Sequence, residues 1–292
     1  MKAKVHTAQI QSTTENAALD HPAIRNQNGI IVTKGGYSRY KYNPEGVEDV
    51  NENTKNGFYT GLGIAIAECE LENVQLNRID ICWDMRDQTY DSVYRLGKLL
   101  LYCMAVQIGY TKNISDTIDG FNIKKKSVKV QDTKDSGWTF QFELYNKKLQ
   151  KPNQPVLARL ELRRSQLAEM KIAELEKVDF VASEFKSILQ AVVSDHSSTY
   201  TQTVKELNNN LVIAWHNSGE TSLRNFINQH IDSFLAKGQI VDFIRRVRPD
   251  MANVPQKAKR LTDSIGKQMY DKSDLKALVN ELTPALQTYL QS

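Results

Sequence analysis

The chain has 292 residues, of which 40% are hydrophobic and 25% charged, and its net charge is +4 at pH 7. That length suffices for one large domain or two ordinary ones with a buried core. The composition excludes a disordered chain, a collagen-like repeat and a small disulfide-stapled protein. No window approaches the roughly 18 uninterrupted apolar residues of a membrane span. The polar N-terminus also lacks the apolar core of a signal peptide. We therefore expect a globular, cytoplasmic protein without a membrane partner.

Cysteine and histidine are too scattered to predict a metal centre or a disulfide framework. The cysteines, Cys69, Cys82 and Cys103, have irregular spacing, and we expect them to be small buried residues. The five histidines form no His-x-His or His-Glu-x-x-His motif. A histidine metal site could therefore arise only through the fold.

Charge is distributed unevenly along the chain. The Lys and Arg count minus the Asp and Glu count is −3 for residues 1–120, +6 for 121–170 and +1 for 171–292. A second basic cluster consists of Arg245, Arg246, Arg248, Lys257, Lys259 and Arg260. Such clusters predict a polyanionic partner, most simply nucleic acid. The alternative is that they are ordinary solvated surface.

The N-terminal quarter gives weak structural signals. The first 27 residues are polar, and we predict a loose N-terminal arm. Residues 29–44 predict a hairpin around a Gly-Gly pair, and residues 45–57 an acidic loop. Residues 58–72 are apolar, and their pattern does not distinguish a strand from a helix.

From residue 76 the periodicity becomes clear. Residues 77–84 alternate apolar and polar side chains, as in a half-buried strand, and residues 90–106 carry the apolar stripe of a helix. Three further strands are predicted at 121–130, 137–147 and 155–163, and helices dominate after about residue 165. These elements predict an α+β fold, with an antiparallel-sheet domain over residues 1–165 and a helical domain over 166–292.

Alternation along the predicted strands places many polar side chains on one face of the sheet, because successive residues point to opposite sides. They are Asp80, Asp84, Glu143, Tyr145, Lys147, Arg159, Glu161 and Arg163. A sheet with one wet face alternates in the same way without any functional purpose. However, Asp80 lies between isoleucines and Glu161 between leucines, where a carboxylate is costly unless it is paired or bound to metal. We therefore expect a functional acidic site on a common open surface.

Three motifs on these strands resemble one known family. The segments RIDICWD (78–84), YNK (145–147) and RLELR (159–163) occur in this order. Together they resemble the Rep_trans-type rolling-circle replication initiators of Gram-positive plasmids and the related relaxases of integrative conjugative elements. The resemblance implies a nuclease-like Rep/relaxase palm. The chain departs from the family at Gln150, where a glutamate is expected.

The resemblance implies an enzyme that nicks and rejoins one DNA strand at a replication origin. Tyr145 would attack a phosphodiester, leaving a 5′-phosphotyrosine and a free 3′-hydroxyl that primes synthesis. Lys147 and Arg159 would assist catalysis by neutralising the phosphate or lowering the pKa of the tyrosine. Asp80, Asp84 and Glu161 would bind a divalent cation, Mg²⁺ or Mn²⁺, for which carboxylate oxygens are suitable ligands.

The basic residues acquire a DNA-binding role in this interpretation. Close to the site these are Lys124, Lys125, Lys126, Lys129 and Arg163; in the helical region they are the six residues of the second basic cluster. Such contacts are tolerant of sequence and strongly dependent on salt. The helical region could bind the duplex origin or build a homodimer.

Each assignment has a structural alternative. Tyr145 could be a packing aromatic, which strands favour, and Asp84 could cap the turn after its strand. Asp80 and Glu161 could pair with Arg159 or Arg163 without any metal. The chain could accordingly be a catalytically inactive DNA-binding or regulatory module with the same fold. A third hypothesis is a protein that binds no nucleic acid.

Overall fold

A computed structural model describes residues 2–14, 20–26, 36–45, 51, 53–85, 90–109, 127–131, 139–150, 158–167, 170–171, 176–263 and 269–292. These residues form a mixed structure of one sheet and many helices, so the α+β class is confirmed. None of the helices within these ranges is both long and apolar enough to cross a lipid bilayer.

The described strands form one sheet in which all neighbours are antiparallel. They are β1 (Ala3–Ser12), β2 (Ile24–Asn26), β3 (Ser38–Tyr42), β4 (Gln75–Met85), β5 (Ser127–Gln131), β6 (Phe140–Tyr145), β7 (Ala158–Arg164) and β8 (Met170–Lys171). The order across the sheet is β2-β3-β1-β4-β7-β6-β5, and β8 pairs with the beginning of β4. The predicted strand at 77–84 is confirmed, and the strands predicted after residue 120 are confirmed over β5, β6 and β7, although β6 ends at Tyr145 and not at residue 147 as predicted.

The helices connect the strands and then follow them. They are α1 (Lys55–Glu68), α2 (Tyr90–Gln107), α3 (Lys147–Gln150), α4 (Glu176–Ser194), α5 (His196–Ser218), α6 (Leu223–Gln229), α7 (Lys237–Val247), α8 (Val254–Thr262) and α9 (Lys272–Gln291), with a 3₁₀ turn at Ile231–Ser233. The predicted helix at 90–106 is confirmed as α2.

The predicted N-terminal arm is wrong for residues 3–12, which form a central strand. β1 pairs with β3 on one side and with β4 on the other. Val5, Ala8 and Ile10 lie in the core. The spacing from Val5 to Ala8 is odd because the register of β1 against β4 shifts between Val5 and Thr7. This β-bulge breaks the simple alternation by which a strand is predicted.

The ambiguous apolar segment at 58–72 belongs mainly to a helix, α1. Its N-cap is Thr54, whose hydroxyl accepts a hydrogen bond from the Gly57 amide at 3.1 Å. Phe58, Leu62 and Ala65 are buried, a spacing of four and three residues that gives one helical face. The acidic loop predicted at 45–57 precedes this helix, and its last three residues, 55–57, belong to α1.

Helices cover one face of the sheet, where the apolar side chains of the strands point. Phe142 of β6 packs against Phe185 of α4, with ring centroids 6.3 Å apart. α2 lies so close to β6 that a Cβ atom added at Gly97 would be 2.7 Å from Leu144 Cδ2. The opposite face of β4, β6 and β7 carries polar side chains, so the sheet separates the core from the predicted site.

The hydrophobic contacts do not divide at residue 165, where we predict a domain boundary. The larger core contains the apolar face of the sheet together with α2, α4, the first half of α5 and α9. A second core is built from residues between Leu211 and Met269. Arg95 and Lys98 of α2 join the two, because they donate hydrogen bonds to backbone carbonyls of residues 231–234.

Candidate active site on the polar face of the sheet

The strand register brings the predicted site residues together. Across β4 and β7, Asp80 is opposite Arg163 and Asp84 is opposite Arg159, while Glu161 is opposite Cys82. Across β7 and β6, Arg159 is opposite Tyr145. Directly paired residues share a face, so the prediction that tyrosine and acids lie on one side of the sheet is confirmed. We call this side the polar face.

The polar face is not the open surface that we expect from the sequence. The exposed fraction is 2% for Asp80, 3% for Tyr145, 0% for Arg159 and 2% for Glu161. Buried charges are stable only when they are paired and hydrogen-bonded. The site is consequently held in a network of ion pairs.

Arg159 is the most enclosed member of this network. Its Nε and Nη2 atoms donate to the two carboxylate oxygens of Asp84 at 2.5 and 2.8 Å. Nη2 also lies 3.3 Å from Glu45 Oε1, and Nη1 lies 3.0 Å from the Nε2 atom of His6. The Asp84 carboxylate therefore binds an arginine.

Tyr145 is hydrogen-bonded to a carboxylate. Its hydroxyl donates to Glu161 Oε1 at 2.6 Å. Burial, followed by the charge of Glu161, raises the pKa of Tyr145 far above its ordinary value. The phenol is thus protonated at neutral pH, and Glu161 is the group placed to accept its proton.

Glu161 is ionised although it is buried. Burial alone would raise the pKa of its carboxyl group, but the charge of Arg163, with hydrogen bonds from Tyr145 and Arg163, lowers that pKa to about 2. Arg163 binds the second oxygen, Oε2, through Nε at 3.0 Å and through Nη2. The two oxygens of Glu161 therefore have separate partners.

Asp80 is also neutralised by arginine. Arg78 donates to both of its carboxylate oxygens at 2.7 Å, and Arg163 Nε lies 3.8 Å from Oδ2. Burial raises the pKa of Asp80, and the charge of Arg78 opposes that rise. The alternative from the sequence, pairing of Asp80 and Glu161 with arginine, is what the structure contains; the main partner of Asp80 is Arg78, which we did not predict.

The three predicted metal ligands do not fit one metal ion. Asp80 and Asp84 are four residues apart on β4, which separates their Cα atoms by about 13 Å. Each is held by an arginine. The part of the chain that the structure describes contains no group of three His, Cys, Asp or Glu side chains arranged to hold a metal. Binding of Mg²⁺ or Mn²⁺ stays a prediction.

A further acidic residue, Glu45, which we did not predict, joins the network from outside the strands. Glu45 accepts from Lys147 Nζ at 3.1 Å as well as from Arg159. Burial would raise the pKa of Glu45, but the charges of Arg159 and Lys147 hold it well below its ordinary value. Lys147 begins α3 instead of continuing the strand as predicted. Nothing in the local sequence around Glu45 indicates this contact, which arises from tertiary structure.

A cleft adjoins one end of the polar face. Its volume is about 1010 Å³, and it lies between the ends of β1 and β4, α2 and α9. Lys4 and Asp84 belong both to its lining and to the charged network. Its other charged lining residues are Lys2, Asp274 and Glu281. The cleft thus provides space next to the Asp84–Arg159 pair, with charges of both signs.

The predicted DNA-binding residues fall into three groups. Lys124, Lys125 and Lys126 lie outside the described residues, and Lys129 is on β5. Arg163 is occupied by carboxylates of the network, including Glu143 at 2.6 Å. Of the second cluster, Arg245 and Arg246 of α7 and Lys257, Lys259 and Arg260 of α8 are exposed, and we call these five the basic surface. Arg248 follows α7 and pairs with Asp250.

Comparison with known proteins gives little independent information. No protein-family model matches the chain, and no curated protein matches it. Among solved structures, it is similar to a rolling-circle replication initiator protein from Geobacillus stearothermophilus, with 14% identity and a TM-score of 0.31, over 65% of this chain and 84% of that one. A TM-score this low does not establish a shared fold.

Proposed function

We propose that this chain is a replication initiation protein that nicks and rejoins one DNA strand through a covalent bond to Tyr145. The observation that supports this proposal most directly is the hydrogen bond from the Tyr145 hydroxyl to the ionised Glu161 carboxylate at 2.6 Å. A nucleophile paired with a base, and a base oriented by a further group, is the arrangement that covalent catalysis requires. Here Arg163 orients the base.

In the proposed step, the phosphoryl group passes from the 3′ oxygen of the DNA to the oxygen of Tyr145. The Tyr145 oxygen attacks phosphorus while its proton passes to Glu161 Oε1, because a protonated phenol is a weak nucleophile. The bond from phosphorus to the 3′ oxygen breaks, and that oxygen takes a proton from water, while the hydroxide so formed takes the proton from Glu161. The products are a 5′-phosphotyrosine and a free 3′-hydroxyl. Attack by a 3′-hydroxyl on the phosphotyrosine reverses the step and rejoins the strand.

The cations beside Tyr145 would bind the phosphate. Glu45 is held between Lys147 Nζ and Arg159 Nη2 at 3.1 and 3.3 Å, so one anionic group already fits between these two cations. A phosphodiester oxygen could replace the Glu45 carboxylate there, and the two positive charges would then stabilise the negative charge that develops during attack. Tyr145 is only 3% exposed, so DNA reaches the phenol only after neighbouring residues move.

The basic surface of α7 and α8 would hold the DNA away from the chemical site. Its five side chains are exposed and of one sign, and such surfaces bind the phosphate backbone without reading sequence. In this proposal, residues of the polar face cut the DNA strand, and the basic surface keeps the DNA bound.

The test is formation of a covalent adduct. Single-stranded oligonucleotides that tile the DNA around this chain's own coding sequence are incubated with the protein, with Mg²⁺, with Mn²⁺ and with a chelator, and are then run on a denaturing gel. We expect one oligonucleotide to give a protein-linked 5′ end, and we expect Tyr145→Phe to abolish it. Undiminished adduct formation by Tyr145→Phe would remove the nucleophile from the proposal. Dependence on the added metals checks the predicted cation separately.

One observation favours a second candidate function. Asp80, Asp84 and Glu161 are all bound by arginine, and the tyrosine is enclosed. A network so fully paired also suits a protein that keeps the fold without the chemistry, as a regulatory DNA-binding module. That candidate predicts salt-sensitive retardation of DNA in a gel, with no adduct from any oligonucleotide in either metal.

A further inference from the structure

The β-bulge in β1 places a histidine in the middle of the charged network. In the register of β1 against β4, Val5 is opposite Ile81 and Thr7 is opposite Asp80, so His6 is the extra residue. Bulges turn a side chain away from its regular direction and are frequent beside active sites. His6 is 6% exposed.

The His6 ring lies between Arg159 and Glu161. Arg159 Nη1 is 3.1 Å from Nδ1 and 3.0 Å from Nε2 of the ring, and Nε2 is 3.7 Å from Glu161 Oε1. The ring thus lies between a guanidinium, which only donates hydrogen bonds, and a carboxylate, which only accepts them. Burial, and then the charge of Arg159, keeps the pKa of His6 well below its ordinary value. The ring therefore adds no positive charge of its own.

The position of the ring matters because Glu161 Oε1 is the atom that accepts from Tyr145. Arg159 and Glu161 are two residues apart on β7 and share a face, so their charges attract each other at short range. A guanidinium bound to Oε1 would compete with the phenol and make the carboxylate a weaker base. In the structure Arg159 binds Asp84 and Glu45 instead, and the imidazole occupies the space between it and Oε1.

We propose that His6 is a positioning residue, which keeps the Arg159 guanidinium away from Glu161 Oε1 so that this oxygen remains the proton acceptor of Tyr145. The inference rests on the proposed function of Tyr145 and adds a residue to its machinery. Glu45 and Lys147 also face the ring. Removal of the imidazole would let Arg159 move toward Glu161, whereas a neutral side chain of similar reach would keep the two apart.

The experiment compares His6→Ala with His6→Gln. Gln has a donor and an acceptor near the position of Nε2 and carries no charge. On the oligonucleotide that gives an adduct, we expect His6→Ala to slow adduct formation about tenfold to a hundredfold, with DNA affinity unchanged within about twofold. We expect His6→Gln to recover most of the rate. The matched control is Thr7→Val, a buried neighbour in the same bulge, whose rate should equal that of the unaltered protein.

A second readout does not depend on nicking. Tyrosine labelled with carbon-13 at Cζ gives an NMR signal for Tyr145, which is assigned by its loss in Tyr145→Phe. We expect this signal to shift in His6→Ala and to return in His6→Gln, because the hydrogen bond to Glu161 is lost and restored. An unshifted signal in His6→Ala would overturn the inference even if no adduct ever forms. So would equal loss of rate and of DNA affinity in His6→Ala, which is what a merely structural role predicts.

Discussion

Two arginine–aspartate ion pairs of similar geometry lie in very different parts of the molecule. On the polar face of the sheet, Arg159 binds Asp84 with two hydrogen bonds of 2.5 and 2.8 Å, and the arginine is fully buried. After α7, Arg248 binds Asp250 with two hydrogen bonds of 3.1 and 2.9 Å, but both side chains are exposed. The geometry is alike, whereas the surroundings differ in dielectric.

That difference assigns different tasks to the two regions. A buried charge that loses its partner leaves the other charge uncompensated, so the members of the polar face fix one another in position. Exposed charges keep their water and contribute mainly to long-range attraction of a charged partner. We expect the polar face to control stability and chemistry, and the basic surface to control DNA affinity and its salt dependence.

Substitution of the two arginines tests the contrast most strongly. We expect Arg159→Met to lower the free energy of unfolding by about 3–5 kcal/mol, because Asp84 and Glu45 lose a buried partner. Arg248→Met should leave the urea midpoint of unfolding unchanged. Both variants are measured by circular dichroism in urea. Equal midpoints for the two variants would show that Arg159 is not enclosed as described.

Lowering the pH should destabilise the protein, because two groups on the polar face have lower pKa values in the folded chain than in the unfolded chain. The folded pKa of His6 lies below its ordinary value of 6.5, so the unfolded chain binds that proton first and stability falls as pH drops below 6.5. The folded pKa of Glu161 is about 2 against 4.5, so its contribution is present above pH 4.5 and is lost as pH falls toward 2. The expected total is a few kcal/mol.

His6→Gln separates the two contributions. This variant should lose the decrease in the free energy of unfolding that begins at pH 6.5 and keep the decrease that begins at pH 4.5. His216→Gln, on the exposed side of α5, is the matched histidine control and should keep both parts. Urea unfolding at pH steps from 7.5 to about 3.5 measures the curves. A flat curve from pH 6.5 to 5 in the unaltered protein would contradict the burial of a neutral His6.

Changes to the basic surface should alter the salt dependence of DNA binding and leave the stability of the protein unchanged. We expect the combined replacement of Lys257, Lys259 and Arg260 by Ala to reduce the slope of log affinity against log salt by about 1 for each phosphate that the protein no longer neutralises. Stability should not change, since these side chains are exposed. Fluorescence anisotropy with a labelled oligonucleotide at several salt concentrations measures the slope. Lys205→Ala, exposed on α5, is the control, and an equal slope for both would remove DNA binding from α8.

The sequence predicts the shared face of the sheet because alternation along β4, β6 and β7 depends only on local periodicity. Asp80, Tyr145 and Glu161 can therefore be placed on one face from the order of the residues alone. Their burial cannot, because it depends on which other residues approach the face. Glu45 is an example: it joins Arg159 across more than one hundred residues of sequence, and no local pattern indicates that it does so.

The polar residues contributed by β1 were missed for a different reason. The strand contains His6 and Lys4 on the polar face, but its bulge gives it two alternating halves that are out of phase. Each half is too short to predict a strand. A search for alternation that allows one inserted residue would find β1, and with it His6. The β-bulge that interrupts the alternation of β1 is therefore also what places His6 beside the site.

The smallest effect concerns the other residue of the bulge. Thr7 is 1% exposed, and its Oγ1 atom has no hydrogen-bond partner among the residues that the structure describes. A buried hydroxyl without a partner is costly, and Val has nearly the same shape with a higher preference for strands. We expect Thr7→Val to raise the free energy of unfolding by up to about 1 kcal/mol, as measured in urea. A loss of stability would mean that the hydroxyl does have a partner on the polar face, and that the ion pairs alone do not complete the network.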